Sequence, residues 1–163
     1  MRKVKVAVNG YGVIGKRVAD AVKQQEDMEL VGVADVVTDY RIKTAAVLGL
    51  DIYAALPDKA QAMRAADIPV AGTLDDLLRK VDVVADCTPK KIGAANKILY
   101  ERLGVKAIYQ GGESHALTGH SFVAQANYET AIGRSSTRVV SCNTTSIVRT
   151  LGALKKAGLL KRA

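Results

Sequence analysis

Gly10-Tyr11-Gly12-Val13-Ile14-Gly15 falls directly after a β-branched run, Val4 to Asn9 (VKVAVN), and opens a segment, Val13 to Gln25, whose apolar Ile14, Val18, Ala21 and Val22 share one helical face. A chain that must pass from strand to helix within one glycine turn has few architectures open to it. The glycines have separate physical jobs: Gly10 permits the tight turn, Gly12 lets a ligand approach the backbone, and Gly15 lets the helix pack closely on the strand. The next apolar run, Leu30 to Ala34, ends at Asp35, about 20 residues beyond the turn. Strand, G-x-G-x-x-G, helix, strand and terminal acid together form the fingerprint of a dinucleotide site, with the pyrophosphate on the helix N-terminus. A carboxylate at Asp35 would accept hydrogen bonds from the ribose hydroxyls of NAD and repel the 2′-phosphate of NADP; its other available role is to cap the loop after the strand. Arg41 and Lys43 lie close enough in sequence to soften the preference, so NADP stays possible.

The rest of the chain keeps alternating. Helical patterns over Thr38 to Leu48, Asp75 to Lys80, Ile92 to Leu103 and Asn143 to Lys156 are interleaved with strand patterns over Val81 to Asp86, Val105 to Gln110 and Thr137 to Ser141. Thr88-Pro89 and Gly111-Gly112 close two of those strands. The expected fold class is α/β, a Rossmann-type, doubly wound, mainly parallel sheet with helices on both faces. At 163 residues the chain fits one domain, residues 1–163, able to bury ~70% of its unfolded surface. Leu159 to Ala163 reads as the approach to another strand, with no capping glycine, so the chain is expected to end inside a larger architecture.

No apolar stretch is long enough for a membrane span, and the Asn9-Gly10 turn interrupts any secretory core at the start. Two cysteines cannot make a disulfide framework, which points to a reducing compartment, the cytoplasm. The net charge of +8 suits an anionic partner. Scattered basic residues with one Phe and six Tyr, and no interleaving of aromatic and basic side chains, argue for a phosphorylated small molecule over nucleic acid.

Ser141-Cys142-Asn143-Thr144-Thr145 sits where the last strand turns into the last helix. A thiol at a helix N-terminus gains from the dipole and from nearby N–H groups, which favour the reactive thiolate. From position alone, Cys142 is either a nucleophile or a packed helix-start residue. Cys87, in VVADCTP, reads as packing.

Asn9-Gly10-Tyr11-Gly12 with Ile14 to Asp20, then Thr88-Pro89-Lys90-Lys91-Ile92-Gly93, then Gln110-Gly111-Gly112-Glu113, then Val139-Val140-Ser141-Cys142-Asn143-Thr144-Thr145, closely resemble the archaeal glyceraldehyde-3-phosphate dehydrogenases. The resemblance runs in order along the whole chain, with the Ser-Cys-Asn-Thr-Thr run its most specific element. It implies a phosphorylating, NAD(P)-dependent aldehyde dehydrogenase of glycolysis and gluconeogenesis in which Cys142 attacks the aldehyde of glyceraldehyde 3-phosphate. A hydride then passes to the nicotinamide, and inorganic phosphate releases the thioester. Ser141, Asn143 and Thr144 would line the substrate position, with the Cys142 N–H a candidate oxyanion donor. Gly12, Val13 and Ile14 map onto the pyrophosphate loop and Gly112 onto a later dinucleotide contact. The family forms tetramers, and no metal is implied.

Two departures from the family matter. Many members carry Lys where this sequence has Asp35, which predicts a preference for NAD here. The family's general base and its substrate-phosphate arginines lie in a second, catalytic domain downstream of Cys142 and are absent from these residues. His115 and His120 do not match the base position and read as exposed loop histidines. The chain alone is therefore expected to bind dinucleotide and turn over little or nothing. Two rivals remain: another Cys-dependent semialdehyde dehydrogenase, and a non-catalytic dinucleotide-binding module or redox sensor.

Overall fold

The structure is a computed structural model that describes residues 2–162. In chain order the elements are β1 (Val4–Asn9), α1 (Val13–Lys23), β2 (Met28–Asp35), α2 (Tyr40–Val47), β3 (Ile52–Ala54), α3 (Ala60–Ala65), β4 (Val70–Thr73), α4 (Leu74–Leu78), β5 (Val83–Asp86), α5 (Ile92–Leu103), β6 (Lys106–Tyr109), β7 (Ser121–Phe122), α6 (Ala124–Asn127), β8 (Ser136–Val139) and α7 (Cys142–Lys156). Short 3-10 turns occupy Pro57–Lys59, His115–Leu117 and Tyr128–Ala131.

The strands form one sheet in the order β4-β3-β2-β1-β5-β6-β8-β7, every pairing parallel. The expected doubly wound sheet is therefore present. The chain winds outward from β1 in one direction through β4 and in the other from β5, so the order reverses between β1 and β5. There Asn9 and Asp86, the last residues of the two strands, are register partners. In open α/β sheets this switch point opens a crevice at the carboxyl ends of the strands, and ligands bind in it.

Strand periodicity divides the core in two. Val8, Val33, Ile52 and Ala85 point to a cluster with Ala19 of α1, Ile42 and Ala45 of α2, and Met63 of α3. Their neighbours Ala7, Ala34, Tyr53 and Val84 point to the opposite cluster, with Leu74, Leu77 and Leu78 of α4 and Tyr100 of α5. Successive side chains alternate across a strand, so each strand supplies both faces, and both are covered by helices.

Two expectations about the chain's course need correction. The stretch between Leu48 and Leu74, for which no elements were anticipated, holds β3, α3 and β4, which extend the sheet by two strands. At the other end Leu159 to Arg162 form no strand, and Ala163 lies outside the described residues. Gly158 (φ +70°) does cap α7: its N–H bonds the Lys155 carbonyl at 3.1 Å, and the Leu159 N–H bonds that of Leu154 at 3.0 Å. This pair of bonds is the Schellman closure.

Candidate active site

A cleft of about 1390 Å3 opens at the carboxyl end of the sheet. Its wall is contributed by the α1 start (Gly12, Val13, Ile14), the turn after β5 (Cys87, Thr88, Pro89), the turn after β6 (Gln110, Gly111, Gly112) and the junction of β8 with α7. The glycine turn and Cys142 thus share one cavity.

The glycine turn separates residues needed by the protein from one that the protein does not need. A Cβ at Gly15 would lie 1.9 Å from the Gly10 carbonyl oxygen, and one at Gly10 (φ +91°) would lie 2.9 Å from Cys87 C and Thr88 N. A Cβ at Gly12 would meet nothing within 4 Å, and Gly12 faces the cleft. Gly12 is the N-cap of α1 without a capping side chain, so the helix presents its first N–H groups and its positive dipole end to the cavity. Tyr11, 1% exposed, anchors the turn in the core.

Asp35 is the last residue of β2 and, like Gly10 and Gly15, does not line the cleft. One carboxylate oxygen accepts the Tyr11 N–H at 2.7 Å, and the other accepts the N–H groups of Val36 (2.7 Å) and Val37 (3.3 Å). The residue therefore caps its own loop and fastens the glycine turn. Nearby, Arg41 is gripped by both carboxylate oxygens of Asp39, with Nε at 3.0 Å from each and Nη2 at 2.5 Å from Oδ2. That pairing holds the Asp39 carboxyl below the usual range.

Cys142 is the first residue of α7 and is exposed. Ser141 caps the helix, its Oγ accepting the Thr144 N–H at 3.2 Å and lying 2.9 Å from the Thr144 hydroxyl. Cys142 Sγ lies 3.9 Å from Asn143 Oδ1. Ser141 and Cys142 line the cleft, whereas Asn143 and Thr144 stand outside its wall. Thr145, the last residue of the Ser-Cys-Asn-Thr-Thr run, and Ser146, Arg149, Thr150 and Ala153, which no sequence motif singles out, continue the cleft face of α7. Their spacing of three, four, seven, eight and eleven residues from Cys142 is one helical stripe, a signal available once the helix starts at Cys142.

The second thiol, Cys87, also borders the cleft, but burial and the charge of Asp86 push it up to about 12. At neutral pH it is a packed, protonated thiol. His115 is exposed, its Nδ1 2.9 Å from Ser121 Oγ. His120 departs from expectation: it is 6% exposed, with Nδ1 2.6 Å from Thr137 Oγ1 and Nε2 2.9 Å from Thr130 Oγ1. The polar segment runs alongside β8 into β7, and burial, then the charges of Arg134 and His115, lower the His120 pKa. Neither histidine borders the cleft. Among the described residues no helix is long and apolar enough to cross a membrane, and no cluster of His, Cys, Asp and Glu could hold a metal ion.

Residues 4–109, from β1 through β6, match the family model described as dihydrodipicolinate reductase, N-terminus. The chain belongs to this dihydrodipicolinate reductase N-terminus family. Membership covers the glycine turn, the switch point and the turn after β5, but stops before β8 and Cys142. Similarity across the junction comes from archaeal glyceraldehyde-3-phosphate dehydrogenases, of which this chain is a homologue. It is 52% identical over 163 residues to that of Methanococcoides burtonii, covering 100% of this chain and 48% of the relative. It is 56% identical over 153 residues to that of Thermococcus sibiricus, covering 94% and 46%. The chain spans about half the length of these curated relatives. Aspartate semialdehyde dehydrogenase II from Vibrio cholerae, solved in complex with ASA, superposes with a TM-score of 0.65 over 96% of this chain and 47% of that chain, at 14% identity. That likeness shows the shared fold.

Proposed function

We propose that this chain is the dinucleotide-binding, nucleophile-bearing half of a phosphorylating glyceraldehyde-3-phosphate dehydrogenase that prefers NAD. The observation that carries the reading is a single cleft bordered by both the uncapped start of α1 and the thiol at the start of α7. Gly12 fits the cofactor: no protein atom explains its missing side chain, while a pyrophosphate seated on the α1 N–H groups does. Gly12, Val13 and Ile14 would hold the diphosphate, Asp35 the ribose hydroxyls, and Gly112 on the opposite rim a later part of the dinucleotide. Arg41, the cation closest in sequence to Asp35, is already neutralised by Asp39, which supports NAD over NADP.

In the proposed reaction, Cys142 Sγ bonds to the aldehyde carbon of glyceraldehyde 3-phosphate, giving a thiohemiacetal whose oxygen the Cys142 N–H and neighbouring first-turn N–H groups of α7 can stabilise. The bound nicotinamide dinucleotide supplies a hydride acceptor. Loss of the hydride and the hydroxyl proton leaves an acyl thioester on Cys142, which inorganic phosphate cleaves to 1,3-bisphosphoglycerate and the free thiol. The proton requires a base, and His120, buried between two threonine hydroxyls, is unsuited to the task. The base and the substrate-phosphate contacts belong, on this reading, to a second domain of a cytoplasmic homotetramer, and residues 1–163 alone bind dinucleotide with little or no turnover. The 52–56% identity to glyceraldehyde-3-phosphate dehydrogenases, set against 14% to the aspartate semialdehyde enzyme, favours this reading over its nearest chemical rival.

Fluorescence titration of the purified chain with NADH and NADPH at equal ionic strength tests the proposal. NADH should bind about tenfold more tightly, the equivalent of one well-placed ribose hydrogen bond plus avoided repulsion. Tighter NADPH binding overturns the cofactor preference, absence of binding overturns the dinucleotide reading, and robust glyceraldehyde-3-phosphate oxidation overturns the need for a second domain.

A further inference from the structure

Beneath the cleft lies a carboxylate that the proposed chemistry does not use. Asp86, the last residue of β5, is 1% exposed, and among the described residues no cation pairs with it. A buried charge without an ion pair must be met by hydrogen-bond donors. Oδ1 accepts the Thr88 N–H at 3.0 Å and the Thr88 hydroxyl; Oδ2 accepts Asn96 Nδ2–H at 2.9 Å and the Tyr100 hydroxyl at 2.6 Å. The Tyr100 hydroxyl, having donated its proton to Asp86, accepts from Asn9 Nδ2 at 2.8 Å. Burial and the Asp86 charge hold that hydroxyl protonated, so it remains a donor.

These donors reach Asp86 from three places: the end of β1 through Asn9 and Tyr100, the turn after β5 through Thr88, and α5 through Asn96 and Tyr100. Thr88 is also the surface on which both glycine turns rest. A Cβ at Gly10 would lie 2.9 Å from Thr88 N, and one at Gly111 would lie 1.9 Å from Thr88 O. Neither turn has slack against Thr88, so a shift of Thr88 by a few tenths of an ångström moves both rims of the crevice.

We infer that Asp86, acting through Thr88, is a positioning residue that sets the separation of the Gly10 and Gly111 turns and thereby the affinity for dinucleotide. The inference rests on the dinucleotide reading proposed above. Thr88 donates both its N–H and its hydroxyl to Oδ1, while Asn96 and Tyr100 donate to Oδ2, so an uncharged amide at position 86 cannot accept on both sides: its NH2 either opposes the Asn96 and Tyr100 donors or takes the place of the Thr88 acceptor, and packing alone no longer fixes where the two rims stand.

The test measures NADH affinity and melting temperature for Asp86→Asn, Thr88→Val, Thr88→Ser, Asn96→Ala and the Asp86→Asn/Thr88→Val double variant, with titrations well below each transition. Asp86→Asn should weaken NADH binding about 10- to 100-fold and Thr88→Val about tenfold, each near the loss of one or two hydrogen bonds to a charged group. Thr88→Ser, which keeps the hydroxyl, should stay within about twofold of wild type. The double variant should bind no worse than Asp86→Asn, because both changes break one link. Additive losses would instead make Thr88 a direct ligand contact and overturn the inference. So would wild-type affinity in the variants alongside lowered melting temperatures, which is the signature of a purely structural network. Should Asp86→Asn fail to fold, Asn96→Ala decides: it removes one donor from Asp86 and borders no cleft, so NADH binding within twofold of wild type overturns the proposal. A wild-type chain that does not bind NADH overturns the dinucleotide reading itself, a different result from a wild type that binds and variants that match it.

Discussion

Where the glycine turn sits, the chain is packed from both sides; where Cys142 sits, it is not. Helix α1 gives Gly15, Ala19 and Val22 to the core, and the Gly10 turn lies in backbone contact with Thr88. Helix α7 buries no residue over its fifteen positions, and Ile147 remains 59% exposed. The side of the cleft proposed for dinucleotide recognition is thus fixed by the fold's own core. The side that carries Cys142, the proposed nucleophile, is held by the β8 junction, by α6 and by the Ser141 cap, and leaves that thiol exposed.

The two cysteines give this contrast its largest test. Both border the same cleft, but the Cys87 thiol is pushed up to about 12 and Cys142 is exposed at a helix start. Relative to a free thiol that ionises near about 8.5, a thiol at about 12 carries roughly a thousandfold less thiolate at neutral pH. Iodoacetamide at pH 7.5, read by peptide mass spectrometry, should label buried Cys87 roughly a thousandfold more slowly than a free thiol, with exposed Cys142 labelled well before it. Raising the pH should keep accelerating the labelling of Cys87 up to about pH 12. Because the unfolded thiol ionises first, stability falls as pH rises from about 8.5 through that range. Comparable rates for the two thiols at neutral pH would break the contrast between a packed and a presented sulfur.

Within the glycine turn the contrast recurs on a smaller scale. Gly15→Ala places a methyl 1.9 Å from the Gly10 carbonyl, where only backbone movement gives relief, and should cost about 3 kcal/mol or more, seen as a large drop in melting temperature. Gly12→Ala meets no protein atom, so the melting temperature should hardly change while NADH binding weakens by about tenfold or more. If the two variants lose stability equally, Gly12 is a structural glycine and its cofactor argument collapses.

How much of this was legible beforehand follows from how local each signal is. The glycine turn, Asp35, β5, α5 and the β8 to α7 junction carry their information in neighbouring residues: a β-branched run, a turn, a helical stripe. Ile52–Ala54 is only three residues long, Ala60–Ala65 is a short Ala-rich helix, and β4 contains Gly72, so periodicity had too few positions to register there. His120 reads as an exposed loop residue because its burial depends on Thr137, seventeen residues away on β8. The Asp86 network was invisible for the same reason: Asn9 and Asp86 are neighbours only through strand register, and Tyr100 joins them from a helix. The glycine at position 158 was in plain view, but its role as a cap depends on where α7 stops.

The smallest test compares one residue type in two helices. Ile42 of α2 is fully buried against Val33, Ile52 and Met63, while Ile147 of α7 is 59% exposed. Ile→Val deletes one methylene from each. At Ile42 it leaves a void among close-packed neighbours and should cost about 0.5–1.5 kcal/mol by urea denaturation. At Ile147 the removed atoms were already largely in water, and the change should stay within about 0.5 kcal/mol. A loss at Ile147 equal to that at Ile42 would mean that α7 carries weight in the fold's stability, and the division between a packed recognition side and a lightly held nucleophile side would not stand. The two substitutions share chemistry, volume change and helical context, so burial is the main variable left to set the difference.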